Sequence, residues 1–598
     1  MTTSLGSFAN RSTGAAGQPG QNAGETGGPS LSNELFLGVL RWDLLVPFPV
    51  QDDEDRRVGD ERVAEFTRYL RAHVDPNAVD AARELPADVI EAVRDRGYLR
   101  LLVGQEDGGV GLSPFNTFRL IETASSWSLA VANMMGIGNG FGAGGYLRML
   151  PEGALREVIR AHVAAGNFSG RADTEPAGAG NAEPAGAANP RQRTTATPVD
   201  GGTAYLLNGE KVFIGNGAIA DLLDVTATVV ADGVVDSDVS FFVDARTPGL
   251  EVVERQDFMG LGGAPIANLR LRDVRVPSSR MFRDRRTRDM KEHIYLARTL
   301  SVVPPSLAIA RLCAHWSREF VNRRRIDGRP LGSFQEIHRI VAGTVADTFA
   351  MESLVHWTML GRGADVLHEH AALKNVASES CWRVIDRTMG LLGGEGFETA
   401  HSKARRGAQP LPVERFFRDI RGLRISGGVD FLVDYLAARI RLTDCYYDRL
   451  YTADSGADGE TAAARRLVAR HGAEHVEFVT EQAARLGRTC RDLTERHPDR
   501  EDLFNRQHTV LTLNRIANEL LTAATVLARS ASASDDDAAS IAAIHCANAR
   551  RRVAALWAEL DDGDEREYAE ISARWLGGPR YDALLGDAIT AVPAVGDR

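Results

Sequence analysis

The sequence predicts an α+β fold in which a helical unit, a strand-rich unit and a second helical unit follow one another, with further helices appended. Three observations predict it. Between Glu34 and about Ala165 apolar residues recur every three to four positions, as in Val63-Phe66-Tyr69-Leu70 and Val89-Ile90-Val93. Between about Gly166 and Phe282 the period changes. Ala204 to Leu207 runs into an Asn208-Gly209 turn, and Lys211 to Ile214, Leu223 to Val230, Val239 to Val243 and Leu269 to Leu271 read as strands. From Arg286 onward long helical patterns return.

In chain order, residues 1–32 are rich in Gly, Ser, Asn, Ala and Thr, with too few apolar side chains to offset the entropy of ordering, so a disordered tail is expected. An N-terminal helical domain (33–165) and a middle β domain (166–285) follow. The next helical domain (286–452) has helices expected at about 287–323, 333–362, 366–392 and 428–450. The polar stretch Ala453-Asp454-Ser455-Gly456 marks a boundary, and an additional helical domain (453–598) includes amphipathic patterns at Ala463–Leu486 and Val510–Leu527.

The chain has 598 residues and a formal charge of -11 with both signs interspersed, which leaves no basic footprint for nucleic acid. Neither a secretory signal nor the roughly 18 uncharged apolar residues of a membrane span is present, so the protein is expected to be cytoplasmic and not membrane-spanning. Cys313, Cys381, Cys445, Cys490 and Cys546 lie too far apart for a Cys-x-x-Cys motif and read as reduced core thiols. Two motifs read as decoys. Gly140-Phe141-Gly142-Ala143-Gly144-Gly145 matches a dinucleotide fingerprint by letters but follows no strand. His368-Glu369-His370 suggests metal, but two positions apart on a helix face different ways, so a solvated helix start is expected and no metal.

The remaining motifs form an ordered set. Gly108-Gly109-Val110-Gly111-Leu112 comes first, then Thr174-Glu175-Pro176-Ala177-Gly178-Ala179 with an echo at Ala182-Glu183-Pro184-Ala185-Gly186-Ala187. Leu207-Asn208-Gly209-Glu210-Lys211-Val212-Phe213-Ile214-Gly215-Asn216-Gly217 and Asp273-Val274-Arg275-Val276-Pro277 follow. Arg324-Arg325-Ile326-Asp327-Gly328 precedes Phe334-Gln335. Last come Leu391-Leu392-Gly393-Gly394-Glu395-Gly396-Phe397 and the run from Glu414 through Arg418-Asp419 to Gly427-Gly428-Val429-Asp430. In this order, over residues 34 to 450, the set resembles the acyl-CoA dehydrogenase family. The helices beyond resemble its very-long-chain type, and agreement among individually weak motifs carries the inference.

The resemblance implies a middle β-barrel-like domain, a C-terminal four-helix bundle and an additional C-terminal helical domain. It implies FAD between the β domain and the C-terminal helices, often completed by a second subunit. In that chemistry a hydride leaves the thioester β-carbon for the flavin while a carboxylate takes the α-proton. By resemblance, Phe213, Ile214 and Gly215 lie beside the isoalloxazine, Arg324 and Gln335 hold the cofactor, Gly393 and Gly394 let backbone approach its pyrophosphate, and Val429 also contacts it. Arg298 and Gly428 fall at substrate-contacting positions. The implied partners are an acyl thioester, on CoA or an acyl carrier protein, and an electron acceptor, either electron-transfer flavoprotein or oxygen. A homodimer or homotetramer is implied.

Four positions depart from the family pattern: Gly215 stands for a Thr, Asp327 for an aromatic ring, Gly390 for a Gln and Gly427 for the catalytic Glu. The second place where relatives carry the base reads Tyr295-Leu296-Ala297-Arg298-Thr299, without a carboxylate. Asp430, about one helical turn past Gly427, is the candidate substitute base, set against the plainer reading that it stabilises a helix N-terminus. Glu395 reads as solvated and Glu292 as helix surface. The first functional reading is an FAD-dependent acyl-thioester dehydrogenase with a non-standard base. The alternatives are a flavin monooxygenase or oxidase, and a non-catalytic flavin-binding subunit. The acidic C-terminal unit reads as a dimer contact or a shield over the substrate channel rather than a membrane-surface element.

Overall fold

The computed structural model describes residues 29–590 except 177–191, 232–233, 284–286, 362–363, 452–457, 534 and 562–564. The tail up to residue 28, the second copy of the Glu-Pro-Ala-Gly-Ala echo and the stretch Ala453–Gly456 lie outside the described residues.

Helices α1 (Leu31–Phe36), α2 (Asp53–His73), α3 (Pro76–Ala82), α4 (Ala87–Asp95), α5 (Pro114–Ser125), α6 (Leu129–Gly140) and α7 (Ala154–Ala164) precede the first strand. Four of these starts, those of α1, α2, α3 and α5, are set by short polar side chains. Asp52 accepts from the Glu54 and Asp55 amides, and Ser113 from that of Asn116, satisfying donors that the helix itself leaves open. The expected tail ends before residue 32. All six residues of α1 are buried, Ser30 caps it, and the Glu369 carboxylate accepts from the Ser32 amide (2.7 Å) and the Ser30 hydroxyl (3.2 Å). Composition is a local property, and this partner lies more than 330 residues away.

The strands are β1 (Ser169–Ala172), β2 (Thr195–Val199), β3 (Ala204–Ile214), β4 (Leu222–Ala231), β5 (Val234–Asp244), β6 (Leu250–Arg255), β7 (Ala267–Pro277) and β8 (Met281–Phe282). They pair in the order β6-β7-β3-β2-β4-β5-β8, with β1 parallel to β4. Alternate residues Leu207, Ile214, Val225, Phe241, Leu269 and Val276 fill one face. Asn208-Gly209 is a register shift within β3 against β7, not the expected turn between two strands.

The helices after the sheet are α8 (Arg288–Arg323), α9 (Gln335–Leu360), α10 (Leu367–Leu392), α11 (Gly394–Phe397), α12 (Ala400–Arg405), α13 (Val413–Leu423) and α14 (Asp430–Leu442). A short hairpin, β9 (Arg325–Ile326) and β10 (Arg329–Pro330), turns at Asp327-Gly328, both at positive φ as its two-residue turn requires. Pro304 and Pro305 lie inside α8 and withhold donors from the Leu300 and Ser301 carbonyls. Helix α6 meets them with Gly136, where a Cβ would sit 3.2 Å from the Leu300 oxygen.

Helices α15 (Asp458–Val468), α16 (Ala473–Arg496), α17 (Arg500–Phe504), α18 (Gln507–Ala533), α19 (Asp536–Asp561) and α20 (Glu565–Leu576) follow. One apolar cluster joins Leu31, Phe36 and Trp42 to Leu354, Val476, Leu486, Leu513 and Trp557, so the appended helices share a core with both ends of the molecule. All five cysteines are buried free thiols. No helix among the described residues is long and apolar enough to cross a membrane.

Candidate active site

The turn between α13 and α14 is built on two glycines at positive φ, Gly427 (+71°) and Gly428 (+108°), a conformation costly for other residues. Its position is fixed from α10. The Lys374 ammonium donates to the Gly428 carbonyl (2.7 Å), and the Asn375 amide donates to the Asp430 carbonyl (2.9 Å) and to Asp434 (2.9 Å). Lys374 is wholly buried, and burial draws its pKa down to about 8.

Gly427 faces Arg298 of α8: a Cβ there would lie 3.3 Å from the Arg298 Cγ. Arg298 makes no ion pair among the described residues, and its guanidinium packs over the Tyr295 ring at 5.6 Å. Burial lowers its pKa from the ordinary arginine value, although it remains a cation. The turn and α8 therefore meet at a cation beside a missing side chain.

Asp430 begins α14. Its Oδ2 accepts from the Arg424 Nε (2.9 Å) and Nη2, and its Oδ1 from the Phe431 amide (2.8 Å). Burial raises its pKa, but the Arg424 hydrogen bonds outweigh that effect and hold it below the ordinary carboxylate value. Both carboxylate oxygens are thus engaged by the fold.

At the end of β3, Phe213 has φ +61° and an exposed ring, and its amide donates to Gln256 (2.8 Å). The Ile214 side chain points into the sheet core, leaving only backbone to face outward. Beside Gly215 the space for a Cβ is taken by Ile137 of α6, at 2.9 Å. Asn216 ties this strand end to α6 by donating to the Met134 carbonyl (3.1 Å). Gly140 of α6 in turn packs on Ala297, next to Arg298, where a Cβ would come within 2.9 Å of the Ala297 Cα. Helices α6 and α8 thereby connect the Phe213–Gly215 segment to Arg298 and the Gly427 turn. The Gly140–Gly145 motif serves close helix packing here.

A separate cavity of about 690 Å³ is lined by Phe320, Arg324, Ile326, Leu331, Gly393 and Gly394, with Glu395, Glu398 and Arg406 also on its wall. A Cβ at Gly390, Gly393 or Gly394 would meet nothing within 4 Å, so the backbone there is open to a ligand. Glu398 is paired with Arg406 (2.7 Å) and Glu395 with Arg323 (2.5 Å), leaving Arg324 without an ion pair among the described residues. Glu395 is therefore an ion-paired, partly covered carboxylate rather than a solvated one. An unpaired arginine beside open glycine backbone fits a pyrophosphate. Gln335 opens α9 outside this lining. The structure thus joins Arg324, Gly393 and Gly394 in one place, and Arg298, Gly427, Gly428, Val429 and Asp430 in another.

The solvated start expected for His368-Glu369-His370 is overturned. His368 and Glu369 are buried at the head of α10, and Glu369, anchoring α1, is pushed up to about 7 by burial. His370 Nδ1 pairs with the Thr299 hydroxyl (2.9 Å). No group of His, Cys, Asp and Glu able to hold a metal occurs among the described residues. Lys374 was not singled out from the sequence, because a charged residue on an otherwise apolar helix face has no periodicity of its own.

Family models for the N-terminal, middle and C-terminal domains of acyl-CoA dehydrogenases match residues 60–166, 178–274 and 289–437. The chain belongs to the acyl-CoA dehydrogenase family. It is 27% identical over 417 residues to the probable acyl-CoA dehydrogenase FadE10 of Mycobacterium tuberculosis, covering 69% of this chain and 63% of that one. With the mitochondrial very long-chain specific acyl-CoA dehydrogenase of Mus musculus it shares 27% over 428 residues, 69% of this chain and 61% of the other. The match thus spans less than two thirds of either relative. The solved acyl-CoA dehydrogenase of Bacillus anthracis, complexed with FAD, superposes with a TM-score of 0.68 at 18% identity, covering 92% of this chain and 95% of that one. At that identity the likeness is one of fold, and its coverage includes the appended helices. Acyl-CoA dehydrogenases are FAD-binding oxidoreductases, and the Arg324–Gly394 cavity suits that cofactor.

Proposed function

We propose that this chain oxidises an acyl thioester, on CoA or a carrier protein, to its α,β-unsaturated form. The observation that carries the reading is the meeting of Arg298 with the Gly427–Gly428 turn. It supports the reading because Arg298 makes no ion pair among the described residues and stands beside the position that resembles the family's base, so that in this reading its N–H groups hold and polarise the thioester. In this reading Phe213 to Gly215 and Val429 border the ring system of FAD, and Arg324, Gln335, Gly393 and Gly394 hold its pyrophosphate arm, contributed across a homodimer or homotetramer. When bound, FAD supplies the hydride acceptor.

Gly427 contributes no base, so proton removal falls to Asp430 or to solvent. For Asp430 to take the α-proton its Arg424 pair must open, and a carboxylate held below its ordinary range accepts protons weakly. That observation favours, as second reading, an oxidase or monooxygenase, which requires no thioester base. Anaerobic titration separates the dehydrogenase from the monooxygenase. A dehydrogenase's flavin absorbance bleaches on adding its acyl thioester, whereas a monooxygenase needs an external reductant first. Flavin that stays oxidised across a panel of acyl thioesters refutes the first reading. In the first reading the acceptor is electron-transfer flavoprotein or oxygen and the compartment is the cytoplasm.

A further inference from the structure

The Arg418-Asp419 pair of the motif set belongs to neither place described above, yet it joins the Gly427–Gly428 turn to the strand end at Phe213. Helix α13 presents both residues to the loop between β6 and β7. The Arg418 guanidinium pairs with Asp80 (2.7 Å) and donates to the Met259 carbonyl (3.0 Å), and the buried Asp419 accepts from the Leu261 amide at its Oδ1 (2.6 Å). Gly260 between them lies against the helix backbone, where a Cβ would come within 2.4 Å of the Arg418 carbonyl oxygen. Past its last turn the same helix runs into Gly427 and Gly428.

The other end of the loop grips Phe213. The β3–β7 ladder shifts register between Lys211 and Ile214, and the Phe213 amide donates instead to the Gln256 Oε1 (2.8 Å). The Phe258 ring lies 6.1 Å from that of Phe213. Arg83, at the end of α3, donates to Asp257 (2.7 Å) and to the Phe258 carbonyl. Phe213 (φ +61°), Leu261 (+57°) and Arg83 (+57°) all hold the left-handed conformation, which residues other than glycine adopt at a cost. Strain of this kind persists only where the surroundings over-determine it, and three instances meet along this one loop. The Phe213 ring is 56% exposed, so the loop, rather than burial of the side chain, holds its backbone in place.

We propose that Asp419 is a positioning residue for the flavin ring. Through the Leu261 amide it sets the loop on α13, and through Gln256 and Phe258 the loop sets the Phe213 backbone. The strand end bordering the ring and the turn facing Arg298 are thereby held at one fixed separation. The proposal rests on the placement of FAD beside Phe213 to Gly215. Burial pushes the Asp419 pKa up to about 6, so the surroundings do not favour its charge, and what they use is an acceptor oxygen at that place.

The test reads the visible circular dichroism of FAD bound to the full chain, which reports the asymmetry around the ring. Asp419→Ala and Gln256→Ala should each lose the wild-type band shape, and the double variant should change it no further than either alone, because both break the same connection. Asp419→Asn keeps an acceptor for the Leu261 amide and should retain the wild-type spectrum. The Kd for FAD should rise less than about tenfold in every variant, the worth of one ordinary hydrogen bond. Gln256 is only partly buried and sits on the loop, so its variant decides by itself if Asp419→Ala does not fold. A wild-type spectrum in either alanine variant, additive changes in the double variant, loss of the band shape in Asp419→Asn, or a larger rise in Kd overturns the inference and leaves the placement of FAD standing. Wild-type chain that binds no FAD overturns both.

Discussion

Replacing Asp430 by Asn distinguishes a base from an anchor. In the structure its carboxylate is mostly covered, 11% exposed, and is held by Arg424 and the Phe431 amide. Asn preserves an acceptor for the amide but removes the charge pair, and the Arg424 side chain, 28% exposed, regains water. The cost should be about 1–2 kcal/mol of stability, seen as a fall of about a degree or two in Tm for a chain of this size. Acid behaviour supplies a second readout. Because the carboxyl titrates below 3.8 when folded, the folded state binds fewer protons than the unfolded state just below that value. Its stabilisation is whole above pH 3.8 and fades as pH falls through the folded pKa. D430N should flatten that part of the acid unfolding curve. The functional assay is anaerobic stopped-flow bleaching of the flavin at saturating acyl thioester. If Asp430 is an anchor, the saturated rate should fall less than about tenfold. A drop of about 10² to 10⁴ with an unchanged Tm would refute the anchoring argument and establish Asp430 as the general base.

Further predictions test the neighbouring features. Gly215→Thr should destabilise by about 1–3 kcal/mol, because its Cβ meets Ile137 at 2.9 Å, and Ile137→Ala should recover much of that loss; strictly additive melting shifts would contradict the packing explanation. Arg324→Gln should weaken FAD binding by about one order of magnitude or more in a flavin-fluorescence titration, while an unchanged Kd would remove the pyrophosphate from this cavity. The Lys374 ammonium, with its pKa lowered to about 8, leaves the folded state proton-poor relative to the unfolded state from there up to 10.5. Stability from this group should therefore rise with pH across that window, and Lys374→Met should abolish the slope. Truncation after Leu450 should yield an unfolded or aggregated chain rather than a smaller oligomer, since Leu31 and Phe36 lose partners such as Val476 and Leu513; a folded product of reduced mass would show that the core divides.

Periodicity exposed what periodicity encodes. Residues 287–323, 333–362 and 366–392 resolve into α8, α9 and α10 almost to the residue, and the strand-rich region begins and ends close to the expected places. Long elements with sustained apolar periodicity leave little choice. Other features depended on contacts remote in sequence. Glu369 is invisible as an anchor until α1 is placed against it, and Lys374 until the Gly428 carbonyl arrives. The motif set located the Arg324–Gly394 cavity, yet the Arg424 clamp on Asp430 required the turn's geometry. Charged residues in the interior are set by tertiary packing, which overrides their local preference for the surface.

The sharing of one apolar interior by Leu31, Phe36, Leu513 and Trp557 bears on how the polypeptide comes off the ribosome. Helix α1 cannot complete its native contacts until more than 480 residues have followed it. Loop closure over that span is slow, and the sticky face of α1 must wait, exposed, while the sheet and the central bundle assemble around themselves. Nascent-chain proteolysis should accordingly show α1 protected only after the codons for α18 have been read.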